Sequence, residues 1–465
     1  MQARAVYNCP LKCYNAKKAQ RKVIFLHRLI CSLLALLMLM PCVLAEEKYT
    51  VFPAPLQITQ KRVKTYISET SHQMVYYPNT CNDQIDAELK EILDRLAAES
   101  LPHLPRKSAL KSEDALLDVA PTVYRTGTSW ASFLMLASVM NGTQQLHAAF
   151  DTRAYDLATG RQLTLGDVIH ESGLDVVCRE TEKQLTGLFP QYETDAGKLA
   201  ALCSRDSILS AHFTLSPAFL QLHFPSEALY AHEGVILNVR IPYTLLSSHL
   251  TEEAKAQTDN SRYKLVALTY DDGPTRRQTL AILRSLRGGG LNATFFAVGE
   301  RIAGSPDLIM LEHNAGFAVA SHNYEHIYAN AMKGKVIAYR DKMNDLLCSL
   351  IGEKASMMRA PGGHEQIYID ENVGMPLIHW SLASKDGKST DFEPIDEALR
   401  LTYSLKDGSI VLMHDLRAVT ANYSNFFPQL LNDRGYLCVT VEELFALRGW
   451  PLEPNTVYYD AYLPQ

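Results

Sequence analysis

The feature that most constrains the fold is a series of apolar runs in the second half of the chain, with helical segments between several of them. The runs read YKLVALTY, ATFFAVG, GFAVASH, SMMRAP, PLIHWSLAS, GSIVLMHD and GYLCVTV. Strands that are apolar almost throughout are typical of a parallel sheet covered by helices. This number of units favours a barrel over an open sheet. No GxGxxG motif follows the first run, which excludes a dinucleotide-binding variant.

The chain is long enough for more than one domain, with 465 residues. Its composition is that of an ordinary soluble protein, 47% apolar and 21% charged, with a formal net charge of −6. This mild acidity offers no basic surface to nucleic acid, so we expect no nucleic-acid partner.

The N-terminal segment, residues 1–45, is predicted to be a signal peptide or a membrane anchor. Basic residues precede an uncharged run from Leu29 to Ala45, and the sequence before Glu46 fits a signal-peptidase site. The run is slightly shorter than the roughly 20 residues of a spanning helix, so a retained anchor is the rival interpretation. Either way we expect an exported protein, which is periplasmic, at the cell surface or membrane-anchored. Membrane contact is expected only through this segment.

Residues 46–250 are predicted to form a smaller α+β domain. The segment Gln84–Ser100 has apolar residues at helical spacing. SWASFLMLASVM and QQLHAAFDTRAYDL are predicted to form a hairpin around Asn141-Gly142, and FLQLHFPSEAL and GVILNVRIPYTLL a second strand pair. Polar residues 251–262 have the composition of a linker. The barrel domain is then expected over 263–450, with a C-terminal tail over 451–465.

Cysteine usage indicates scattered thiols in preference to a disulfide framework. Four of the nine cysteines lie in the leader, and the rest contain no CxxC pair. At most two disulfides are possible among those that remain, and buried thiols are the favoured interpretation. These residues are Cys81, Cys178, Cys203, Cys348 and Cys438.

Polar side chains stand at the predicted carboxyl ends of separate strands, where a parallel barrel forms its active face. Each has an ordinary explanation when it stands alone, such as a solvated turn, a buried histidine or an ion pair. The coincidence of position is what indicates a site. The four-residue spacing of two histidines also puts both rings on one side of a helical turn, as two metal ligands require. The group comprises Asp271, Asp272, His322, His326, Arg359, Asp386, His414 and Asp415.

Four of these segments resemble the motifs of the NodB-type polysaccharide deacetylases, carbohydrate esterase family 4. TYDDGP resembles its T-F-D-D-G-P motif, HNYEH its H-[ST]-x-x-H, RAPGG its R-x-P-x-G and LMH its final L-x-H. Four motifs in the family's order are far more specific than one pattern match. The resemblance implies a distorted (β/α)7 barrel.

The resemblance also implies a metal-dependent mechanism. Asp272, His322 and His326 would bind a divalent metal, with zinc as the preferred choice, and leave one position open for water. Asp271 would be the general base that takes a proton from this water. The turn after the strand would thus aim one acid at the metal and the other at the water.

The remaining roles follow the same resemblance. His414 would protonate the departing sugar amine, and Asp386 would keep His414 charged. Arg359 would orient Asp271 and keep its carboxylate charged.

The family's substrate pocket maps to three further residues. The backbone N–H of Gly362, after Pro361, would hold the developing oxyanion, and Leu412 would line the pocket for the acetyl methyl group.

Two departures from the family pattern affect the pocket. The fourth motif, D-x-x-D-W, reads ASKDG here. Ala383 stands where the family has its first acid, and Gly387 stands where it has the tryptophan. The acyl pocket is therefore expected to be wider or filled by another group. Asn323 replaces the usual Ser or Thr, which keeps a hydrogen-bonding side chain.

Residues from about 130 to 250 resemble a domain that precedes some peptidoglycan deacetylases and forms the outer part of lysozyme-sensing anti-sigma factors. It is interpreted as a module that binds the wall or a protein ligand, or as a spacer. Together with export, this favours peptidoglycan as the polysaccharide substrate, with chitin-like and other exported polymers as alternatives.

Two other functions compete with a deacetylase. A zinc peptidase is disfavoured because Asn323, not Glu, follows the first histidine, so the H-E-x-x-H base is missing. A wall-binding or sensor protein with an impaired barrel is supported only by the altered fourth motif.

Overall fold

The structure is a computed structural model that describes residues 56–106, 115–387 and 392–464. The predicted leader lies outside these ranges. The described residues form one compact unit. Within the described ranges, no helix combines the length and apolar character needed to cross a membrane.

A six-stranded sheet begins the described part of the chain. Its strands follow one another in sequence order, and all pairs are antiparallel except β2 with β3. The predicted hairpin is confirmed, because β4 and β5 pair in antiparallel fashion. Gly142 adopts the positive φ that suits the tight turn between them. The strands are β1 (Thr59–Ser68), β2 (Ser71–Asn79), β3 (Ala115–Thr126), β4 (Trp130–Asn141), β5 (Gln144–Asp156) and β6 (Arg161–Gln162).

The predicted helix between β2 and β3 is also confirmed, over Asp83–Ser100. Asn82 caps it by accepting hydrogen bonds from the backbone N–H groups of Gln84 and Ile85. Its apolar face, including Leu89 and Leu93, is buried.

A three-stranded antiparallel sheet follows, and its last two strands confirm the second predicted pair. Its strands are β7 (His212–Leu215), β8 (Phe219–Pro225) and β9 (Ile236–Pro242). The helices around it are Leu165–Val168, Leu174–Thr186, Ala196–Leu202, Arg205–Leu209 and Tyr243–Leu246.

The second half of the chain forms the predicted parallel sheet, in the order β12-β11-β10-β15-β14, with β16 also paired to β10. The run SMMRAP forms only single bridges, from Met358 to Ser321 and to Leu377. Pro361 follows three residues after Met358 and has no backbone N–H, so it cannot continue the hydrogen bonds of a strand there. Closure into a seven-stranded barrel stays a prediction. The strands of this sheet are β10 (Lys264–Asp271), β11 (Ala293–Ala297), β12 (Ala318–Ser321), β14 (Leu382–Ala383), β15 (Ser409–His414) and β16 (Tyr436–Cys438). Two further strands, β13 (Leu377–Ile378) and β17 (Val457–Tyr458), form a separate two-stranded sheet.

Helices connect most of these strands, as the alternation of apolar runs predicts. They are Arg276–Gly289, Gly299–Gly304, Pro306–Asn314, Ala329–Met332, Val336–Ile351, Gln366–Asp370, Pro394–Ser404, Ala418–Ser424, Phe427–Asn432 and Val441–Arg448.

The polar segment predicted as a linker is ordered over much of its length. Residues Glu252–Thr258 form a helix that Thr251 caps, and Ala254 is buried. Gln257 accepts a hydrogen bond from the backbone N–H of Thr128. The polar composition of this segment therefore belongs to a helix that faces solvent. The domain boundaries at 250 and 263 stay predictions. Part of the predicted C-terminal tail is also a strand, since β17 pairs in parallel with β13.

The N-terminal sheet and the parallel sheet share buried apolar clusters; one of these joins Tyr76 and Leu134 to Val266 and Leu286. The five cysteines outside the leader are all free thiols, with Cys348 and Cys438 buried. The expectation of scattered free thiols is therefore confirmed, but only these two are buried: Cys81 is exposed, and Cys178 and Cys203 are half-buried.

Candidate active site

Two strands deliver the central residues of the site side by side. Asp271 is the last residue of β10 and lies in register with His414, the last residue of β15. Because side chains alternate along a strand, Leu412 shares the face of His414, and Thr269 shares the face of Asp271. The predicted base, acid and pocket residue thus stand at one edge of the sheet.

Asp271 is held by a buried arginine. Arg359 is 0% exposed and Asp271 2% exposed. Arg359 Nη1 donates to Asp271 Oδ1 and to Thr269 Oγ1, each at 2.7 Å. The other guanidinium nitrogens donate to the carbonyls of Ile378 and His379, each at 2.9 Å. This set of bonds fixes the guanidinium, and through it the orientation of the Asp271 carboxylate.

The three predicted metal ligands lie together. Their ligand atoms fall within 4.8 Å of one another. Asp272 Oδ1 is 3.1 Å from His326 Nε2 and 3.4 Å from His322 Nε2. Asp272 reaches this position through a positive φ of 76°, which turns it away from the direction of Asp271.

The chemistry of these ligands fits a cation. His322 Nδ1 donates to the carbonyl of Arg359 at 2.9 Å, so Nε2 offers a lone pair towards Asp272. Asp272 Oδ1 is buried and has no hydrogen-bond donor among the described residues. A set of two imidazole nitrogens and a carboxylate is the kind that binds zinc at catalytic sites.

His414 is paired with a buried acid. Its Nδ1 donates to Asp386 Oδ1 at 2.8 Å, and its backbone N–H donates to Oδ2 at 2.9 Å. Burial acts to lower the pKa of His414, but the hydrogen bond and charge of Asp386 outweigh it and raise the pKa. Nε2 is left as the free end of the ring, on a side chain that is 21% exposed.

Asp386 also accepts hydrogen bonds that the sequence did not reveal. The donors are Ser384 Oγ, Thr420 Oγ1 and Tyr423 OH. Burial would raise the pKa of Asp386, but His414 and the hydroxyls of Ser384 and Thr420 lower it to about 2. Thr420 and Tyr423 come from a helix beyond β15, and no motif or spacing links them to Asp386.

The predicted oxyanion segment lies beside the metal ligands. Pro361 is buried and Gly362 exposed, within a 3-10 turn in which Gly362 has a φ of 69°. A Cβ atom on Gly362 would lie 2.8 Å from Tyr328 Cε1. The ring of Tyr328 in turn makes an edge contact with the ring of His326, at 5.3 Å between centroids.

The altered fourth motif leaves its second acid in position. Asp386 reaches His414 without the first acid of the family motif, which is Ala383 here. A Cβ atom on Gly387 would lie 3.3 Å from His414 Cε1, so this residue adjoins the predicted acid.

A second buried acid lies behind the turn that follows Asp272. Asp415 Oδ2 accepts a hydrogen bond from Thr279 Oγ1 at 2.5 Å. A Cβ atom on Gly273 would lie 2.0 Å from Asp415 Oδ2, so only glycine fits there. Burial, together with the nearby charges of Asp271 and Asp272, raises the pKa of Asp415 to about 7.

Comparison with known proteins agrees with this geometry. Residues 258–374 match the family model described as "Polysaccharide deacetylase". Peptidoglycan-N-acetylglucosamine deacetylase PgdA of Listeria monocytogenes is 28% identical over 315 residues, 66% of this chain and 66% of that protein. Peptidoglycan-N-acetylmuramic acid deacetylase PdaC of Bacillus subtilis is 27% identical over 191 residues, 41% of this chain and 40% of that protein.

Among solved structures, a family 4 acetyl xylan esterase from Clostridium thermocellum is 26% identical with a TM-score of 0.39, covering 43% of this chain and all of that one. The matched part thus covers just under two thirds of the Listeria protein and two fifths of the Bacillus protein. Asp272, His322, His326 and Arg359 fall inside the family match, whereas Asp386 and His414 follow it. Residues 258–374 of this chain are thus similar to a polysaccharide deacetylase domain.

Proposed function

We propose that this chain is a metal-dependent N-deacetylase that removes acetyl groups from the sugars of an extracytoplasmic polysaccharide. The observation that carries the proposal is the different surroundings of two adjacent acids. Asp271 is bound to Arg359 at 2.7 Å, whereas Asp272 faces His322 and His326. One carboxylate is thus available as a base and the other as a ligand.

Asp272, His322 and His326 would hold the divalent metal, with zinc preferred. When bound, the metal supplies Lewis-acid polarisation and lowers the pKa of water from about 15.7 towards about 7. Asp271 takes the proton of the attacking water, because its Oδ1 is anchored by Arg359 and its Oδ2 lies 3.9 Å from His322 Nε2, on the side of the ligands. The backbone N–H of Gly362 holds the oxyanion that develops on the acyl oxygen.

His414 donates a proton to the nitrogen of the departing sugar amine from Nε2. Asp386 keeps the imidazole oriented and protonated through the bond to Nδ1, and Leu412 and Pro361 shape the acyl pocket. The C–N bond breaks as the amine is protonated, which releases acetate and leaves a free amino sugar.

Peptidoglycan is the proposed substrate. The Listeria and Bacillus relatives are named as deacetylases of peptidoglycan N-acetylglucosamine and N-acetylmuramic acid, and the predicted leader implies export to the compartment that holds this polymer. Either of these sugars suits the proposal, and a chitin-like polymer is the alternative. Residues 46–250 are proposed as a module that binds the wall or a protein ligand, and residues 1–45 as the signal or anchor.

Acetate release tests the proposal. Purified protein loaded with zinc is incubated with peptidoglycan, N-acetylglucosamine oligomers and acetylated xylan, with and without a chelator. We expect chelator-sensitive release that is fastest from peptidoglycan. Release from xylan alone would replace the N-deacetylase with an esterase, and no release from any substrate would favour the impaired wall-binding or sensor protein.

A further inference from the structure

Tyr328 is an exposed aromatic residue at the edge of the candidate active site. It follows the second histidine of HNYEH by two residues, and 57% of its surface is exposed. Single exposed aromatic residues are common on proteins, so exposure alone indicates nothing. The position of this ring is what distinguishes it.

Two perpendicular ring contacts hold Tyr328 in place. Its ring lies 5.3 Å from that of the metal ligand His326, at 90°, and 6.2 Å from that of the exposed His364, at 87°. Edge-to-face geometry is favourable between aromatic rings. The phenol ring therefore lies beside the proposed ligands without being covered by them.

The same ring lies against the predicted oxyanion segment. A Cβ atom on Gly362 would lie 2.8 Å from Tyr328 Cε1 and 2.9 Å from Cδ1. The ring therefore occupies the space that a side chain at position 362 would take. The ring thus contacts both Gly362 and His326. Gly362 and Tyr328 are both exposed, so solvent reaches this part of the site.

The exposed surface of the Tyr328 ring suits a sugar ring. A pyranose presents C–H groups on its faces and hydroxyls at its rim, so it packs well on a flat, partly polar ring. Tyrosine offers such a surface at low cost in conformational entropy, because it has few rotatable bonds.

We propose that Tyr328 is the platform on which a pyranose ring of the substrate stacks when its acyl group reaches the metal ligands. This inference rests on the proposed function, since it assigns the sugar-binding surface of that site. Tyr328 is a specificity-determining residue in this account, and takes no part in proton transfer.

Direct binding measurements test the platform separately from turnover. An N-acetylglucosamine pentamer is titrated by calorimetry into zinc-loaded Asp271→Asn protein, which cannot hydrolyse it, and into the same protein carrying Tyr328→Ala, Tyr328→Phe or Tyr403→Ala. Tyr403 is a matched control because it is 68% exposed and lies on the helix before β15, at the opposite end of the strands.

We expect about tenfold weaker binding for Tyr328→Ala, the loss typical of one aromatic contact. Tyr328→Phe keeps the ring and should bind as well as the parent, as should Tyr403→Ala. Zinc content should be the same in all four proteins. With Asp271 restored, Tyr328→Ala should raise KM for the pentamer and leave kcat within about twofold.

Three results would overturn the platform: no binding of the pentamer by the parent protein, unchanged binding by Tyr328→Ala, or loss of zinc from that variant. Equal weakening in Tyr328→Phe would also refute it, because the hydroxyl would then be the binding group. Ring-dependent binding without any acetate release from the active protein would support the platform and refute the proposed deacetylase.

Discussion

At the scale of single residues, Arg359 is the side chain on which the proposed base depends most. It is 0% exposed, and its guanidinium donates to Asp271, Thr269 and two backbone carbonyls. Its guanidinium carbon also lies 4.2 Å from the centre of the Phe296 ring. Methionine would keep much of this volume but would leave the Asp271 charge buried without a partner.

We therefore expect Arg359→Met to lower the free energy of unfolding by about 3–5 kcal/mol, the cost of removing one partner of a buried pair. Urea unfolding of the metal-free protein measures it. Arg205→Met is the matched control, because Arg205 pairs with Asp175 at an exposed site and should change stability by no more than about 1 kcal/mol. Equal effects of the two substitutions would mean that the Asp271–Arg359 pair is not held as described.

The pairing of Asp386 with His414 sets a pH dependence. The pKa of His414 is raised, since the hydrogen bond and charge of Asp386 outweigh burial. His414 therefore stays protonated to higher pH than a free imidazole. If His414 is the general acid, activity is lost as pH rises through its pKa. Asp386→Asn removes the charge, so the falling limb of kcat against pH should move to lower pH.

Tyr423→Phe serves as the control for this profile, because it removes one hydrogen bond to Asp386 but keeps the carboxylate. Its falling limb should stay near that of the unaltered protein. If the falling limb of kcat against pH stays in place in Asp386→Asn, the limb does not reflect deprotonation of His414.

At the scale of secondary-structure elements, the turn after β10 is the most constrained. It must deliver Asp271 along the strand and Asp272 away from it, and it passes directly over the Asp415 carboxylate. Asp415 is 1% exposed and bound to Thr279, so it has little room to move.

Gly273→Ala would place a methyl group 2.0 Å from Asp415 Oδ2. We expect a loss of about 1–3 kcal/mol of stability from the overpacking, together with a fall in acetate release as the two aspartates shift. Combining it with Asp415→Ala should recover part of both losses, which a double-mutant cycle measures. Strict additivity of the two substitutions would contradict the contact.

Most strands of the parallel sheet could be predicted because continuous apolar runs carry strong local signals, but the run SMMRAP forms only single bridges. The positions of Asp271, His322 and His414 at the strand ends followed from the same pattern, and their convergence in space agrees with it. The donors to Asp386 could not be predicted, because Thr420 and Tyr423 reach it through tertiary packing alone. Tyr328 was missed for a similar reason, since its role depends on the space above Gly362. The segment 251–262 has a polar composition that predicts a linker, and the structure forms a capped helix over Glu252–Thr258 within it.

At the scale of the whole molecule, the N-terminal sheet is joined to the parallel sheet by buried charges. Asp118 of β3 is 1% exposed and accepts from Arg284 at 2.9 Å and from Arg287 at 3.2 Å, both on the helix Arg276–Gly289. This helix follows the turn that carries the two site aspartates. The N-terminal sheet thus supports the element next to the site.

Asp118→Ala should therefore destabilise both regions together, by about 3–5 kcal/mol, because Arg287 would be left buried without its anion. Hydrogen exchange measures this as a parallel loss of protection in residues 115–126 and 276–289. Asp175→Ala, at the exposed pair with Arg205, should leave both regions protected. Loss of protection in β3 alone would mean that the two parts unfold independently.

The most direct test of the account compares zinc binding by two adjacent variants, Asp271→Asn and Asp272→Asn, titrated calorimetrically as metal-free proteins. The account predicts that Asp271→Asn binds one zinc per chain as the unaltered protein does, and that Asp272→Asn loses this binding. Asp271→Asn should at the same time release acetate about 10²–10⁴ times more slowly, the usual contribution of a general base. Loss of zinc from Asp271→Asn, or full retention by Asp272→Asn, would contradict the division of roles between the two acids.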